Sequence, residues 1–237
     1  MKFRKNKLQR IQMSESLILG FFLAFSGGFM DSYTYIFRNG VFANAQTGNI
    51  ILLGINIFEG SYKNSLKYLI PVCSFVIGVF IAQFIRIKFG QIKVLHWRQI
   101  TVIIEIIIML TVAFISTQYN VLANSLVSFA CGIQVQSFQK IRGNKLATTM
   151  CIGNLRTATE LLCNWFHTKN SELVKKSMLY YSVILVFALG AVCGNFLVKC
   201  FGQRAILASA VILIIAFIIM FVDDKEEDII EKEENQN

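Results

Sequence analysis

The sequence has few charged residues: Asp, Glu, Lys and Arg make up 16% of its 237 residues, against about 25% in an average soluble domain. Apolar residues, in contrast, make up 55%. This composition excludes an ordinary cytosolic protein and is typical of a membrane protein with several spans.

The patterns that mark soluble catalytic, nucleotide-binding and metal-binding sites are also missing. The six cysteines form no CxxC pair, and the two histidines have no spacing that would complete a zinc site. No glycine-rich nucleotide loop follows a strand pattern, and no Ser-His-Asp or Cys-His set can be assembled. We therefore expect no enzyme, no catalytic residue, no metal and no cofactor, and thiols that pack as small hydrophobic groups.

The formal net charge of +9 is high enough for a nucleic-acid-binding protein, but the charges are unevenly distributed. Residues 223–237 hold eight acidic and two basic residues, which leaves 21 basic and 6 acidic residues in 1–222. Basic residues between apolar runs keep their loops on the cytoplasmic side of a membrane. We interpret the charge as a topology signal, with anionic lipid headgroups and no nucleic acid as the partner of the basic loops.

Eight apolar segments can be marked, and two of them, 42–58 and 146–164, are too polar to face lipid along their whole length. The other six are 16–37, 68–88, 99–116, 121–140, 178–198 and 205–222. Eight crossings would place 12 Lys and Arg inside and 10 outside, whereas two non-crossing polar segments give 17 inside and 5 outside. The positive-inside rule favours six spans with both termini in the cytoplasm. The alternative, in which a polar segment does cross the membrane as a tilted 17-residue span, remains open.

The chain also contains an internal duplication. Gly28 and Gly48-Asn49 match Gly132 and Gly153-Asn154 at an offset of 104 to 105, and residues 78–83 match 190–195 at an offset of 112. Three crossings per half would make the second repeat inverted relative to the first. Inverted repeats with broken helices at corresponding positions are the layout of many secondary transporters. A compact bundle without a transport pathway is the simpler alternative.

The fold class predicted from these features is all-α. It is a polytopic helical membrane protein with six full spans, two short polar broken or re-entrant helices and two inverted repeats. The predicted organisation is a basic cytoplasmic arm (1–13), a first membrane repeat (14–116), a second membrane repeat (117–222) and an acidic cytoplasmic tail (223–237).

Three blocks carry a resemblance to a known family. They are GGFMDSYTY (27–35), ANAQTGNIILLG (43–54) and TTMCIGNLRTATE (148–160). Over about residues 14–222 the chain resembles the YoaK family of bacterial integral membrane proteins, whose function is uncharacterised. The resemblance implies a bacterial plasma-membrane protein with about six helices. Family members often carry Thr or Ser where this chain has Ile152, so the two halves are not expected to bind a ligand identically.

Neutral polar residues surround the two helix breaks. Backbone exposed by a break at membrane depth is tolerated where it lines a cavity or is buried in protein. The breaks therefore form the predicted substrate site: Gln46, Thr47, Gly48 and Asn49 in one half, and Thr148, Thr149, Gly153 and Asn154 in the other.

Four ionisable residues lie within the apolar segments: Asp31, Glu105, Arg156 and Glu160. Arg156 follows the second break and could select an anion there, with Glu160 holding it in place. The i, i+4 spacing also allows a simple ion pair between these two residues. Asp31 and Glu105 are predicted to couple protons, with a hydrogen bond or pairing with Arg38 as the alternative for Asp31 and a packing bridge as the alternative for Glu105.

Together these features predict a secondary transporter or permease for a small solute, with anions favoured by Arg156. Two other functions stay open, an intramembrane enzyme that acts on lipid and a membrane scaffold or sensor that transports nothing. The small-residue faces at Gly78–Ala82 and Gly190–Gly194 are expected to pack helices or to support a homodimer rather than to bind ligand.

Overall fold

The computed structural model describes residues 16–89, 97–141 and 144–234, with side chains as far as Met220 except that of Ile141. The predicted basic arm, 1–13, lies outside the described residues. So do the side chains of the predicted acidic tail, 223–237.

The described chain is almost entirely helical, which confirms the all-α prediction. Its eight α-helices are α1 (Leu17–Phe37), α2 (Gln46–Phe58), α3 (Tyr62–Phe89), α4 (Trp97–Val112), α5 (Asn120–Ser137), α6 (Cys151–Thr168), α7 (Ser171–Phe201) and α8 (Leu207–Glu234). A two-stranded antiparallel hairpin, β1 (Lys140–Ile141) and β2 (Asn144–Lys145), precedes α6. Each of the eight apolar segments overlaps one of these helices, although most helix ends differ from the segment ends.

Three helical stretches within the described residues are long and apolar enough to cross a membrane. They are Leu17–Phe37, Tyr62–Phe89 and Ser171–Met220, the last of which joins α7 to the first part of α8. This is compatible with membrane association.

Local signals explain several helix ends. The Ser16 side chain accepts a hydrogen bond from Leu19 N at 3.1 Å and caps α1, and Asn170 accepts one from Glu172 N at 3.0 Å and caps α7. Gly202 ends α7 with a φ of 53°, in the left-handed region that glycine adopts without a steric penalty.

Side-chain contacts fix the relative direction of α1, α4 and α5. Arg38, at the end of α1, donates to Asn120 Oδ1 at 3.0 Å and to Val112 O at 3.1 Å. At the opposite end, Gln134 donates to Leu23 O at 3.0 Å. Helix α5 is therefore antiparallel to α1. We call the two ends of the bundle the Arg38 end and the Ser137 end.

Further contacts orient the remaining long helices. Arg98, near the start of α4, donates to Ser137 O at 3.0 Å, so α4 runs towards the Arg38 end as α1 does. Gln136 donates to Gln83 Oε1 at 2.7 Å, so α3 ends where α5 ends. Tyr33 donates to Gln203 O at 3.0 Å, so α7 finishes at the Arg38 end.

These directions determine where the two polar segments begin and end. Since α3 is parallel to α5, the chain leaves α1 and starts α3 at the same end, the Arg38 end. Likewise it leaves α5 and starts α7 at the Ser137 end. The polar segment that contains α2 thus begins and ends at the Arg38 end of the bundle. The polar segment that contains α6 begins and ends at the opposite end, the Ser137 end.

The landmark glycines lie at two matching helix contacts. A Cβ at Gly28 in α1 would overlap the carbonyl oxygen of Phe187 in α7, and a Cβ at Gly132 in α5 would overlap that of Phe75 in α3. Phe75 and Phe187 are 112 residues apart, the same offset as in the sequence match. Glycine allows the backbones of both helix pairs to touch, so these positions serve helix packing.

The apolar core lies between α1, α4, α5 and α8. Fully buried side chains such as Leu23, Met30, Met109 and Leu213 pack there. The outer faces of α3 and α7 carry exposed residues such as Phe80 and Val192. Polar residues inside this core therefore require a separate explanation.

Candidate functional site

The chain between α1 and α2 returns to the middle of the bundle. The backbone N–H of Asn44 donates to Asp31 Oδ1 at 2.7 Å, and its side-chain amide donates to Gly27 O at 3.0 Å. Gly27 is the eleventh of the 21 residues of α1. Residues 41–45, which we call the first loop, therefore reach half the depth of α1, and α2 starts there.

Asn49 closes the first loop onto the first turn of α2. It is fully buried, accepts from Phe42 N at 2.9 Å and donates to Phe42 O at 2.7 Å and to Gln46 Oε1 at 2.9 Å. Asn154 makes the matching contact in the other half, where its amide donates to Ala147 O at 2.6 Å. Asn49 and Asn154 are 105 residues apart, and so are their partners Phe42 and Ala147. The two asparagines predicted as ligand groups thus hold the helix breaks in shape.

The second loop, residues 146–150, reaches the same depth from the Ser137 end. Thr148 and Thr149 are buried, and a Cβ at Gly27 would lie 2.6 Å from Thr149 Cγ2. Gln134 Nε2 lies 3.4 Å from Thr148 Oγ1 while it also donates to Leu23 O. The two loops therefore meet at the middle of α1.

Glu105 is completely buried in α4, and neither of its carboxylate oxygens has a hydrogen-bond partner among the described residues. A charged carboxylate buried in this way costs several kcal/mol. A carboxylate at this position is stable only with a proton, or with a water molecule or cation that enters the interior.

Asp31 and Glu105 lie at the same depth. The bond between Arg38 and Val112 O joins the ends of two parallel helices, α1 and α4. Asp31 precedes Arg38 by seven residues, and Glu105 precedes Val112 by the same number, which is about 10 Å along a helix. The interior thus contains two carboxyl groups at one level, next to the two loops.

Other buried oxygens, at this level or nearer the Ser137 end, also lack a partner among the described residues. They belong to polar side chains of α1, α5 and the two loops: Ser32 Oγ, Asn44 Oδ1, Ser128 Oγ, Gln134 Oε1 and Thr149 Oγ1. We call these groups, with Asp31 and Glu105, the interior polar cluster. Buried polar groups are normally paired, so the cluster can accept hydrogen bonds or a cation from a ligand.

Arg38 is a buried cation at the Arg38 end of the bundle. It is 0% exposed, and besides Asn120 and Val112 it donates to the hydroxyl of Tyr33 at 3.0 Å. Its guanidinium lies over the Tyr33 and Phe37 rings. Asp31 binds the first loop instead of Arg38, and in the described part of the chain no carboxylate pairs with this arginine.

The charged residues of α6 face outward. Arg156 and Glu160 are exposed, and no ion pair joins them in the structure as described. They line a shallow surface groove with Ile152, Leu155, Thr159 and Cys163. Gly153 is also exposed, and a Cβ there would meet nothing within 4 Å.

The remaining predicted site residues also divide into those that pack in the interior and those that are exposed. Gln46 is partly buried and donates to Ala43 O at 2.7 Å, which supports the first loop. Thr47 is exposed. Gly48 packs against the Phe42 ring, where a Cβ would lie 2.8 Å from a ring carbon. The structure therefore gathers Asp31, Glu105 and the two loops inside the bundle but leaves Thr47, Gly153, Arg156 and Glu160 outside.

Sequence reasoning did not assign Asn44, Ser128 and Gln134 to the site. Asn44 stands in the conspicuous polar block 43–49, which was a usable signal. Ser128 and Gln134 lie in an apolar helix in which small and amide side chains are common, so only the packing of α5 against α1 and α4 places them in the cluster.

The fold and the buried cluster define a class of protein: an all-helical protein with helices long and apolar enough to cross a membrane, and with polar groups enclosed between them. A family profile described as "Protein of unknown function (DUF1275)" matches residues 19–219. The chain belongs to this family, which includes the YoaK-like proteins. No curated protein and no solved structure matches the chain.

Proposed function

We propose that the protein crosses the membrane six times as two inverted repeats, with α2 and α6 as half-helices that re-enter from opposite sides. Support comes from the directions of α1, α3, α5 and α7, which return each polar segment to the end where it began. The matched contacts of Gly28 and Gly132 and of Asn49 and Asn154 add to this support. Both termini are then cytoplasmic, in the plasma membrane of a bacterium as the family resemblance implies.

Within this framework we propose a secondary transporter or permease for a small solute, coupled to protons. The single observation that carries the proposal is Glu105, which is fully buried at the level of both loops and without a hydrogen-bond partner among the described residues. Burying such a group destabilises the bundle, so its presence calls for a role that a Gln or Leu could not fill.

Asp31 supplies the link between protonation and movement. Its carboxylate accepts the backbone N–H of Asn44 and so holds the first loop against α1. A charged acceptor makes this bond stronger than a neutral one does. Protonation of Asp31 weakens the bond, which frees the first loop and α2 to move relative to α1.

Arg38 favours an anion as the solute. Its positive charge is buried at the Arg38 end of the bundle. Among the described residues it is surrounded by neutral acceptors and aromatic rings rather than by a carboxylate. Arg156 lies on the outer surface, so in this conformation it does not face the interior. An anion that binds near Arg38 would neutralise this positive charge.

The direct test is uptake by the purified protein in proteoliposomes under an imposed inward proton gradient. Radiolabelled succinate, glutamate and inorganic phosphate serve as small anionic probes. We expect the parent protein to accumulate at least one of them, and Glu105→Gln to lose gradient-driven accumulation. The exposed carboxyl group of Glu59 provides a matched control, because Glu59→Gln removes a carboxylate outside the cluster.

The result that contradicts this proposal is equally specific. If Glu105→Gln and Asp31→Asn both accumulate the probe as the parent does, the interior carboxyl groups do not couple protons to transport. If the parent transports none of the three probes, an anion transporter of this chemistry is excluded.

A further inference from the structure

The outward face of α6 carries charged side chains at a depth where lipid tails would surround them. Helix α6 starts at Cys151, two residues after Thr149, which packs on the middle of α1 at Gly27. At 1.5 Å per residue, Arg156 and Glu160 lie at most about 8 and 14 Å further along. Half the hydrocarbon core is about 15 Å thick. In the proposed topology Arg156 therefore lies within the core and Glu160 lies near its edge.

The matching helix of the other half shows what a lipid-facing surface looks like in this protein. At the offset of 105, Arg156 corresponds to Ile51 and Glu160 to Ile55, which are 56% and 46% exposed. Isoleucine is suited to lipid contact, whereas an Arg and a Glu at the same positions are not. The face of α6 is therefore expected to contact protein.

We propose that a second copy of this chain covers the outward face of α6, with Arg156 of each copy paired with Glu160 of the other. A twofold interface is self-complementary, since residue i meets residue j and j meets i. One helix that presents one positive and one negative group, four residues apart, meets this condition with a copy of itself.

The groove between these charges fits close helix contact. Ile152 is 83% exposed, and a Cβ at Gly153 would meet nothing within 4 Å. Thr157 bonds back to Gly153 O at 3.1 Å, so its hydroxyl needs no partner from another chain. Small residues let helix backbones approach within a membrane. The proposed dimer does not depend on transport, because the interior polar cluster lies on the other side of α6.

Oligomer counting by single-molecule photobleaching in phosphatidylcholine vesicles tests the proposal. We expect the parent to be a dimer at high protein-to-lipid ratio. Arg156→Glu alone and Glu160→Arg alone should each raise the dimer dissociation constant about tenfold, because like charges then meet across the axis. Mixing the two variants should restore parent-like association, because each chain then offers the complement of the other.

The mixing experiment separates pairing between chains from pairing within one helix, since neither variant can pair Arg with Glu in its own chain. Ile51→Ala is the matched control on α2 and should leave the dimer fraction unchanged, because it keeps an apolar side chain on the lipid-facing surface. A parent that remains monomeric at every ratio overturns the proposal, as does a mixture that associates no better than either variant alone. Loss of the dimer in Ile51→Ala would equally overturn the assignment of the interface to α6.

Discussion

The contact between α1 and α7 leads to a sharp prediction about glycine. A Cβ at Gly28 would overlap the carbonyl oxygen of Phe187, which is backbone and cannot rotate away. Relief requires the two helices to separate by about 1 Å, at an overpacking cost of about 1–3 kcal/mol or more. Gly28→Ala should therefore lower the Tm of the purified protein in detergent by several degrees. Gly132→Ala should do the same, because its Cβ would overlap Phe75 O at the matching contact.

Two other glycines provide the controls. At Gly54 in α2 nothing lies within 4 Å of an added Cβ, so Gly54→Ala should be neutral or should stabilise by about 0.5–1 kcal/mol through helix propensity. At Gly27 the nearest atom is the Thr149 methyl group at 2.6 Å, which can shift, so Gly27→Ala should fall between the two. The reasoning is refuted if Gly28→Ala is as stable as the parent, or if Gly54→Ala is equally unstable.

Three further changes have expected outcomes. Asn49→Ala should lower the Tm more than Asn154→Ala, because Asn49 makes three hydrogen bonds and Asn154 one; equal losses would contradict this difference. Arg38→Met should destabilise the Arg38 end, measured as faster amide hydrogen exchange in residues 112–120, since three hydrogen bonds are lost; unchanged exchange would show that they contribute little. Asp31→Asn should abolish the coupling of protons to transport but change the free energy of unfolding by less than about 1 kcal/mol, because an amide oxygen can still accept from Asn44 N. An unfolded variant would assign Asp31 a structural role.

Much of the fold was predictable because hydrophobic patterning is local. All eight apolar segments overlap a helix, and the glycine landmarks at 28, 78, 132 and 190 lie in matching contacts. The helix ends differ by several residues, as at α3, which starts at Tyr62 rather than at 68. There the polar residues Lys63, Asn64 and Lys67 continue the helix beyond its apolar part.

The candidate site was less predictable because it depends on which face each helix turns inward. The i, i+4 spacing of Arg156 and Glu160 is the same whether they face the core or the surface, and only the packing of α6 on α7 exposes them. Arg38 was considered only as a partner for Asp31. Its burial follows from the meeting of α1, α4 and α5, which no local pattern encodes.

The re-entry of the two polar segments from opposite sides is the central claim, and side-specific cysteine labelling tests it most directly. In a cysteine-free background, Ser61→Cys lies between α2 and α3 and Ser171→Cys at the start of α7. The proposed topology predicts that a membrane-impermeant maleimide labels position 61 from outside intact cells and position 171 only after the membrane is opened. Labelling of both positions from the same side would contradict the inverted arrangement and remove the basis for the proposed transport pathway.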